Sequence, residues 1–332
     1  MKTLTPLVVV SQVLAVFIPL SVQAQKPEPP VDAKGNFQIA LPEQDGAMKW
    51  AAPSFTVMQM SAKPRGLEIG VRGADKEAKI SFLAFLFKVG SGPASPQSCR
   101  DGDLAEIKRD TGAKVVATPD VAHGADGKLP VAEYENRDNR GGTHYSVTGY
   151  LGSGQVCMSL EFYSDAPLHA DDPTLKPILD SLQYDPNYKP QFKDAFVYGQ
   201  LLYDRQAFGD AAPYFEQAVA LAGSDGESLK WKRVATDQAG MAYGISGNLA
   251  KSRDIFDAAI ATDPDYPLYY YNLACADAEA KDLVAAKKHL LEAFERKQNI
   301  IAGEQMPNPS EDDSFTPYRN DQQFWAFVIS LH

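Results

Sequence analysis

The chain has 332 residues, of which 44% are hydrophobic and 23% charged, and its formal net charge is −11 at pH 7. This acidic balance argues against a nucleic-acid partner and against an anionic membrane surface, because both require a basic face on the protein. The length allows two domains, each large enough to bury its own hydrophobic core.

Residues 1–24 are predicted to be an export signal. Lys2 precedes an apolar run over residues 4–20, and residues 22–24, VQA, have the small-x-small pattern that suits signal peptidase. The alternative is a retained membrane anchor, because the apolar run approaches the length of a membrane span. Cleavage after residue 24 would leave residues 25–34 as a leader. The mature protein is then expected to be periplasmic or secreted, without membrane contact.

The sequence contains three cysteines. In an oxidising compartment we expect Cys99 to pair with Cys157, because both lie in the same half of the chain. Cys275 lies in an alanine-rich helical pattern, where a small buried thiol packs well. The alternative is that two or three of these cysteines are unpaired buried thiols.

The first half of the chain predicts a sheet with a few helices, because short apolar or alternating runs are separated by clusters of Gly, Pro and Asp. The predicted strands cover residues 37–42, 54–62, 66–73, 79–89, 113–121, 131–137, 143–151 and 155–164. A tight turn is expected at Gly152–Gly154, and helical patterns cover residues 95–112 and 171–185. This order of elements predicts an α+β sandwich for residues 35–186.

The same half opens with a G-x-F-x-I-x-x-P pattern, which consists of Gly35, Phe37, Ile39 and Pro42. A late hairpin and a closing ILDSLQYDP segment follow it. In these features residues 35–186 resemble a PsbP-like exported domain, and the resemblance implies an antiparallel-sheet α/β sandwich.

After residue 190, Pro becomes sparse and Ala, Leu and Tyr recur at helical spacing. Residues 267–298 predict two helices joined by a turn at Lys281 and Asp282. Large and small side chains alternate on their facing sides: Tyr270, Leu273 and Ala274 on the first helix, and Ala286, Leu290 and Ala293 on the second. Such a pattern suits antiparallel helices, because small residues are needed where the two backbones approach closely.

This pattern occurs three times, over residues 192–225, 233–266 and 267–298. The equivalent small residues are Gly199, Gly240 and Ala274, so the second spacing is 274 − 240 = 34 residues and the first is 240 − 199 = 41. The chain therefore resembles the tetratricopeptide repeat (TPR) family, whose period is about 34 residues. The resemblance implies an array of helical hairpins, closed by a C-terminal loop and capping helix over residues 299–332.

The predicted fold class is therefore α+β, with an N-terminal antiparallel-sheet α/β sandwich followed by a C-terminal all-α TPR array. The TPR resemblance also implies a concave groove lined by the first helix of each hairpin. The groove positions carried over to this chain are Phe196, Gln200, Tyr203, Asp237, Met241, Tyr271, Asn272 and Cys275. For each of them the alternative is simple packing. The Lys and Asn set with which some family members hold a terminal carboxylate is missing, so an apolar, tyrosine-rich groove for an extended segment or helix is expected.

The sequence shows no catalytic, metal or cofactor motif. None of the five histidines lies in an HExxH, HxH or Cys–His spacing, and no G-x-S-x-G elbow occurs. We therefore expect a non-enzymatic scaffold of the bacterial envelope that binds a protein partner through the groove. The alternative is a small-molecule or lipid carrier, which needs an apolar cavity of roughly a few hundred cubic ångströms between sheet and helix. An enzyme would need acidic residues and a histidine from distant positions to converge in a cleft.

Overall fold

The computed structural model describes residues 30–63, 67–90, 92–124, 127–137, 142–223 and 226–331. The predicted export signal lies outside these ranges. Within the described residues the chain forms two compact units, which divide between Ile255 and Phe256. None of the helices in this part of the chain is both long enough and apolar enough to cross a membrane.

The first unit begins with two antiparallel sheets. Their strands, in chain order, are β1 (Asn36–Ala40), β2 (Ala47–Ala51), β3 (Thr56–Lys63), β4 (Glu68–Asp75), β5 (Ile80–Lys88), β6 (Lys114–Ala117), β7 (Asp120–His123), β8 (Gly127–Arg137), β9 (Thr143–Ser153), β10 (Val156–Ser164) and β11 (Gln183–Asp185). A small sheet has the order β1-β2-β11. The main sheet has the order β3-β4-β5-β10-β9-β8-β6, with β7 also paired to β8.

The main sheet is covered on one face by the small sheet and, along β8, β9 and β10, on the other face by a helix. Along β5, Phe82 and Leu86 are buried and alternate with half-exposed residues, as the pleat requires. Phe37 and Trp50 of the small sheet pack on Phe82, with ring centroids 5.3 and 5.8 Å away. Helix α1 (Pro96–Thr111) contacts β8, β9 and β10. The result is an α+β sandwich with aromatic rings joining its two sheets.

Most predicted strands coincide with observed strands to within a few residues. The predicted strand 113–121 is instead divided into β6 and β7. The turn expected at Gly152–Gly154 lies later, between Ser153 and Val156, because β9 continues through Ser153. The predicted helix 171–185 is wrong at both ends. Helix α2 covers only Lys176–Ser181, and Leu182 is extended because residues 183–185 pair with β2.

Cys99 and Cys157 form a disulfide, as predicted, with an S–S distance of 1.99 Å. It joins α1 to β10, and both cysteines are buried. Cys275 is free and half-buried. A disulfide is compatible with an oxidising compartment.

Helical hairpins follow the sandwich, so the chain is mixed α+β with a C-terminal helical array. The helices are α3 (Phe192–Asp204), α4 (Phe208–Leu221), α5 (Gly226–Ile245), α6 (Leu249–Thr262), α7 (Pro267–Glu279), α8 (Leu283–Glu295) and α9 (Gln322–Val328). Within each hairpin a three-residue connection joins the helices, over 205–207, 246–248 and 280–282. At Gly199 a Cβ atom would lie 3.1 Å from the Phe215 ring, so α3 and α4 approach closely at a small residue.

The first hairpin is hydrogen-bonded to the sandwich. The Tyr198 hydroxyl donates to the carbonyl of Lys63 at 2.9 Å and accepts from the backbone N–H of Glu68 at 3.1 Å. Arg205 donates to the carbonyl of Ala62 at 2.8 Å. Helix α3 therefore contacts the C-terminal end of β3, which is an edge strand of the main sheet. The sandwich and the first hairpin belong to the same compact unit.

The second unit ends in a cluster that includes α9. Phe324 and Val328 of α9 are buried together with Leu290 of α8 and Tyr271 of α7. Trp325 and Phe327 pack against the same cluster and are partly buried. This is the kind of contact that a terminal helix makes when it covers the apolar side of a last hairpin.

The middle residue of each three-residue connection has a positive φ, which is 61° at Gln206, 90° at Gly247 and 65° at Lys281. Gln206 and Lys281 are exposed, and a Cβ atom at Gly247 would meet nothing within 4 Å. Substitutions at these positions therefore act mainly through the backbone, in the folded and in the unfolded chain.

Gln206→Gly and Lys281→Gly should each raise the free energy of unfolding by about 0.5–1 kcal/mol, because glycine adopts the left-handed conformation without strain. Gly247→Ala should lower it by a similar amount and serves as the matched control. Urea denaturation of the full chain measures these changes. A loss of stability in both glycine variants would contradict the assignment.

Candidate functional site

The predicted groove residues of α3 differ in their exposure. Phe196 and Tyr203 are buried, and both rings pack on Phe215 of α4 with centroids 5.6 and 6.1 Å away. Gln200 is half-exposed, and its amide donates a hydrogen bond of 2.7 Å to Asp204. Phe196 and Tyr203 therefore hold the hairpin together, whereas Gln200 is accessible to a ligand.

On α5, Asp237 is buried and Met241 is half-exposed. Burial, followed by the charges of Asp237 and Asp204, raises the pKa of Tyr203. Within the described residues, the Tyr203 hydroxyl and the Gln238 Oε1 atom are buried without a hydrogen-bond partner. Such groups are rare in protein interiors because they cost free energy. Tyr203 of α3 and Asp237 of α5 thus lie close enough for the Asp237 charge to affect the Tyr203 hydroxyl.

On α7, two predicted groove residues contact the chain itself. The Tyr271 hydroxyl donates to Oδ2 of Asp312 at 2.9 Å, and the Cys275 Sγ lies 3.9 Å from the same oxygen. The Phe315 ring packs edge-on against Tyr271, with centroids 6.0 Å apart. Asn272 is half-exposed. Residues 299–321, here called the C-terminal segment, therefore cover part of the predicted ligand side of α7.

An aromatic patch lies at the beginning of α3 and α5 and consists of Phe192, Phe196 and Trp231. The Trp231 ring centroid is 5.5 Å from that of Phe196 and 6.2 Å from that of Phe192, and the two phenylalanine rings are stacked. Phe192 and Trp231 are half-exposed, and the Lys230 ammonium lies 5.8 Å from the indole centroid.

Sequence reasoning missed Trp231 because the second repeat was aligned from residue 233. The structure shows that α5 begins at Gly226, so residues 226–232, which precede the second predicted repeat, are part of its first helix. The signal that could have identified Trp231 is that it lies near the start of α5, as Phe192 lies at the start of α3.

A cleft of about 690 Å³ lies in the first unit and is here called the sandwich cleft. Its walls come from the small sheet, β3, β4 and α3, and its side chains include Val31, Phe37, Met60, Ile69 and Val197. Small-molecule sites commonly have volumes of about 300–1,000 Å³. The lining is not uniformly apolar, because Lys49, Lys193 and Asp194 also contribute to it.

The charged groups of the sandwich cleft are mostly engaged with neighbours. Lys49 forms an ion pair of 2.8 Å with Asp185. The Asp194 carboxylate accepts a hydrogen bond of 2.7 Å from Tyr188, and desolvation raises the pKa of Asp194. Lys193 is exposed.

A network of acids and tyrosines lies between α1 and the main sheet. The buried Tyr150 donates to Asp103 of α1 at 2.7 Å. Glu161 of β10 accepts hydrogen bonds from Ser146 and the buried Tyr134, and desolvation raises the pKa of Glu161 despite these bonds. Desolvation also raises the pKa of Asp103. These acids therefore hold their protons to a higher pH than exposed carboxyl groups do.

Two histidines lie within hydrogen-bonding distance of carboxylates. His289 of α8 lies 2.6 Å from the fully buried Asp277 of α7, and His169 lies 3.1 Å from Glu133. The hydrogen bond to Glu133, followed by the Glu133 charge, raises the pKa of His169. Across the described ranges, no group of three or more His, Cys, Asp or Glu residues is arranged to hold a metal ion.

Comparison with known proteins identifies no family. Neither protein-family profiles nor curated protein sequences match the chain. Among solved structures, the Sgt2 TPR domain from Aspergillus fumigatus is 17% identical, with 43% of this chain and 83% of that chain covered and a TM-score of 0.32.

Two further structures give similar values. YrrB, described as a TPR protein with an unusual peptide-binding site, is 11% identical, with 42% and 69% of the two chains covered and a TM-score of 0.30. MamA is 16% identical, with 33% of this chain and 60% of MamA covered and a TM-score of 0.28. At TM-scores this low, the similarity does not define a common fold.

Glu161→Gln should change how stability depends on pH. A raised pKa in the folded state means that the native chain binds the proton more tightly than the unfolded chain. This contribution to stability is fully present below the unfolded pKa of about 4.3 and is lost as the pH rises through the folded pKa. The Glu161→Gln variant should therefore gain stability relative to the wild type as the pH rises.

The measurement is urea denaturation between pH 4 and pH 9. Glu77→Gln, an exposed substitution beyond β4, is the matched control. Parallel pH profiles for the wild type and Glu161→Gln would contradict this role of Glu161.

Proposed function

We propose that the protein is an exported, non-enzymatic scaffold that binds a protein or peptide through its helical hairpins. The observation that carries this proposal is the aromatic patch, in which Phe192 and Trp231 are half-exposed at the beginning of two successive first helices. Partly exposed Trp and other aromatic residues are enriched where protein interfaces concentrate their binding free energy.

The spacing on α3 supports the same surface. Phe192, Phe196, Gln200 and Tyr203 recur at three- and four-residue intervals, so they lie along one face of the helix. Phe196 and Tyr203 on this face are buried against Phe215, so Phe192 and the half-exposed Gln200 are its accessible side chains. On α5, the half-exposed Met241 adds a flexible apolar side chain of the kind that adapts to different partners.

The sandwich supports this role by holding the first hairpin. Hydrogen bonds of Tyr198 and Arg205 fasten α3 to β3, so the face of α3 is presented from a rigid base. In the proposal, the sandwich is of the PsbP-like type and the chain is exported to the periplasm or the exterior. The export pattern in residues 1–24 and the disulfide support that location.

Trp231→Ala should weaken partner binding by about 2 kcal/mol or more, which is about thirtyfold, because truncating a central aromatic residue removes a large contact area. The test is affinity capture with crosslinking by the full-length mature chain, followed by titration of the captured partner. Val116→Ala, which truncates a 49% exposed side chain on β6, is the control and should leave binding unchanged. Equal binding by the wild type and Trp231→Ala would refute this surface.

A second candidate function is a small-molecule carrier, and the sandwich cleft favours it. The volume of about 690 Å³ is large enough for a small ligand, and the cleft lies between a sheet and a helix. In this case the helical hairpins would organise the assembly of the protein, and the sandwich would bind the ligand.

Filling the cleft tests the carrier function. In the full chain, 1-anilinonaphthalene-8-sulfonate should fluoresce on binding, and Met60→Trp should reduce the enhancement at least fivefold, because the indole would occupy the cleft. Met58→Trp is the matched control on the same strand, since Met58 is 58% exposed and does not line the cleft. Absence of an enhancement in the wild type, or equal enhancement in both variants, would argue against a carrier.

A further inference from the structure

The C-terminal segment follows the length of α7. Near the start of this path, Tyr266 donates to Glu304 at 2.8 Å. The contacts of Tyr271 and Cys275 with Asp312 come next. At the end of α7, the Tyr318 hydroxyl donates to the carbonyl of Ala278 at 2.6 Å. The segment therefore runs in the same direction as the helix and contacts it at successive turns.

The segment contacts α7 without forming a regular helix or strand of its own. Over residues 299–321, all of which the structure describes, the backbone forms turns, including the 3₁₀ turn at Thr316–Tyr318, and no α-helix or β-strand. Two side chains of the segment anchor it to α7. The Asp312 carboxylate accepts a hydrogen bond from the Tyr271 hydroxyl, and the fully buried Phe315 ring packs edge-on against the Tyr271 ring. A charged acceptor and an aromatic anchor three residues apart give both orientation and contact area.

These anchors use positions that the TPR resemblance assigns to ligand binding. Tyr271 and Cys275 are two of the predicted groove residues, and both contact Asp312. The residues beside Asp312 are Glu311 and Asp313, both exposed, so the segment is locally acidic, and of these three carboxylates Asp312 is the one that contacts Tyr271 and Cys275.

We propose that the C-terminal segment is an internal ligand of α7, and that the external partner of this surface is a segment of the same chemistry. That partner carries a carboxylate three residues before an aromatic ring. It binds where Asp312 and Phe315 bind and displaces them. The proposal rests on the proposed scaffold function and names the class of peptide that the last hairpin accepts.

An external peptide must compete with the tethered C-terminal segment for the surface of α7. A tethered ligand competes with an effective concentration in the range of roughly millimolar, so an external peptide of equal chemistry binds the intact chain weakly. Removing the internal carboxylate lowers the affinity of the tethered segment and leaves the surface of α7 unchanged. Such a variant should bind the external peptide more tightly.

The test uses the full chain and a fluorescein-labelled peptide with the sequence of residues 308–320, NPSEDDSFTPYRN, followed by fluorescence anisotropy. Asp312→Ala should bind this peptide at least about tenfold more tightly than the wild type. Asp313→Ala, which removes the exposed neighbouring carboxylate, is the matched control and should bind like the wild type. A peptide that itself carries Asp312→Ala should lose binding. Equal affinities for the wild type and Asp312→Ala, or no binding to a folded Asp312→Ala chain, would overturn the proposal.

A second measurement avoids any folding defect of the variant. The wild-type chain is labelled with ¹⁵N, and excess unlabelled peptide is added. The amide resonances of residues 308–318 should then move to the positions of an unbound segment, while no change at saturating peptide would also overturn the proposal. Neither experiment depends on Trp231, so a failure here leaves the aromatic patch to be judged by the partner-capture result alone.

Discussion

The docking of the first hairpin on the sandwich is the contact on which the rest of the first unit depends. Tyr198 bridges the end of β3 and the start of β4, and Arg205 adds a further bond to β3. Because α3 is held in this way, one of its sides closes the sandwich cleft through Val197, and another carries Phe192 of the aromatic patch. A molecule in the cleft and a partner at the patch would therefore contact the same rigid helix.

Elements with a strong periodic pattern could be predicted from the sequence, and elements that depend on distant pairing could not. The alternation in β5 and the large-small spacing of the hairpins are local patterns set by neighbouring residues. Strand β11 is different, because residues 183–185 are extended only through pairing with β2, about 130 residues earlier in the chain. A continuous apolar helical pattern through Leu182 does not contain that information.

The candidate site was predictable to a similar degree. Spacing identifies which residues share a face of a first helix, but it does not show which side chains the rest of the fold covers. Phe196 and Tyr203 are enclosed by Phe215, and Tyr271 is covered by residues about 40 positions later in the chain. Trp231 was missed because a family period was applied across an extension of α5. The groove assignment as a whole stays a prediction.

The contact of α3 with β3 also bears on solubility. An uncovered edge strand offers unpaired backbone groups to another molecule and promotes aggregation. In this protein α3 contacts the C-terminal end of the edge strand β3, where Ala62 is buried and the carbonyls of Ala62 and Lys63 accept hydrogen bonds from Arg205 and Tyr198. Proteolytic removal of the hairpins after Gln191 would expose Ala62 and leave these two carbonyls free to pair with another molecule, so the first hairpin shields this end of the sheet edge.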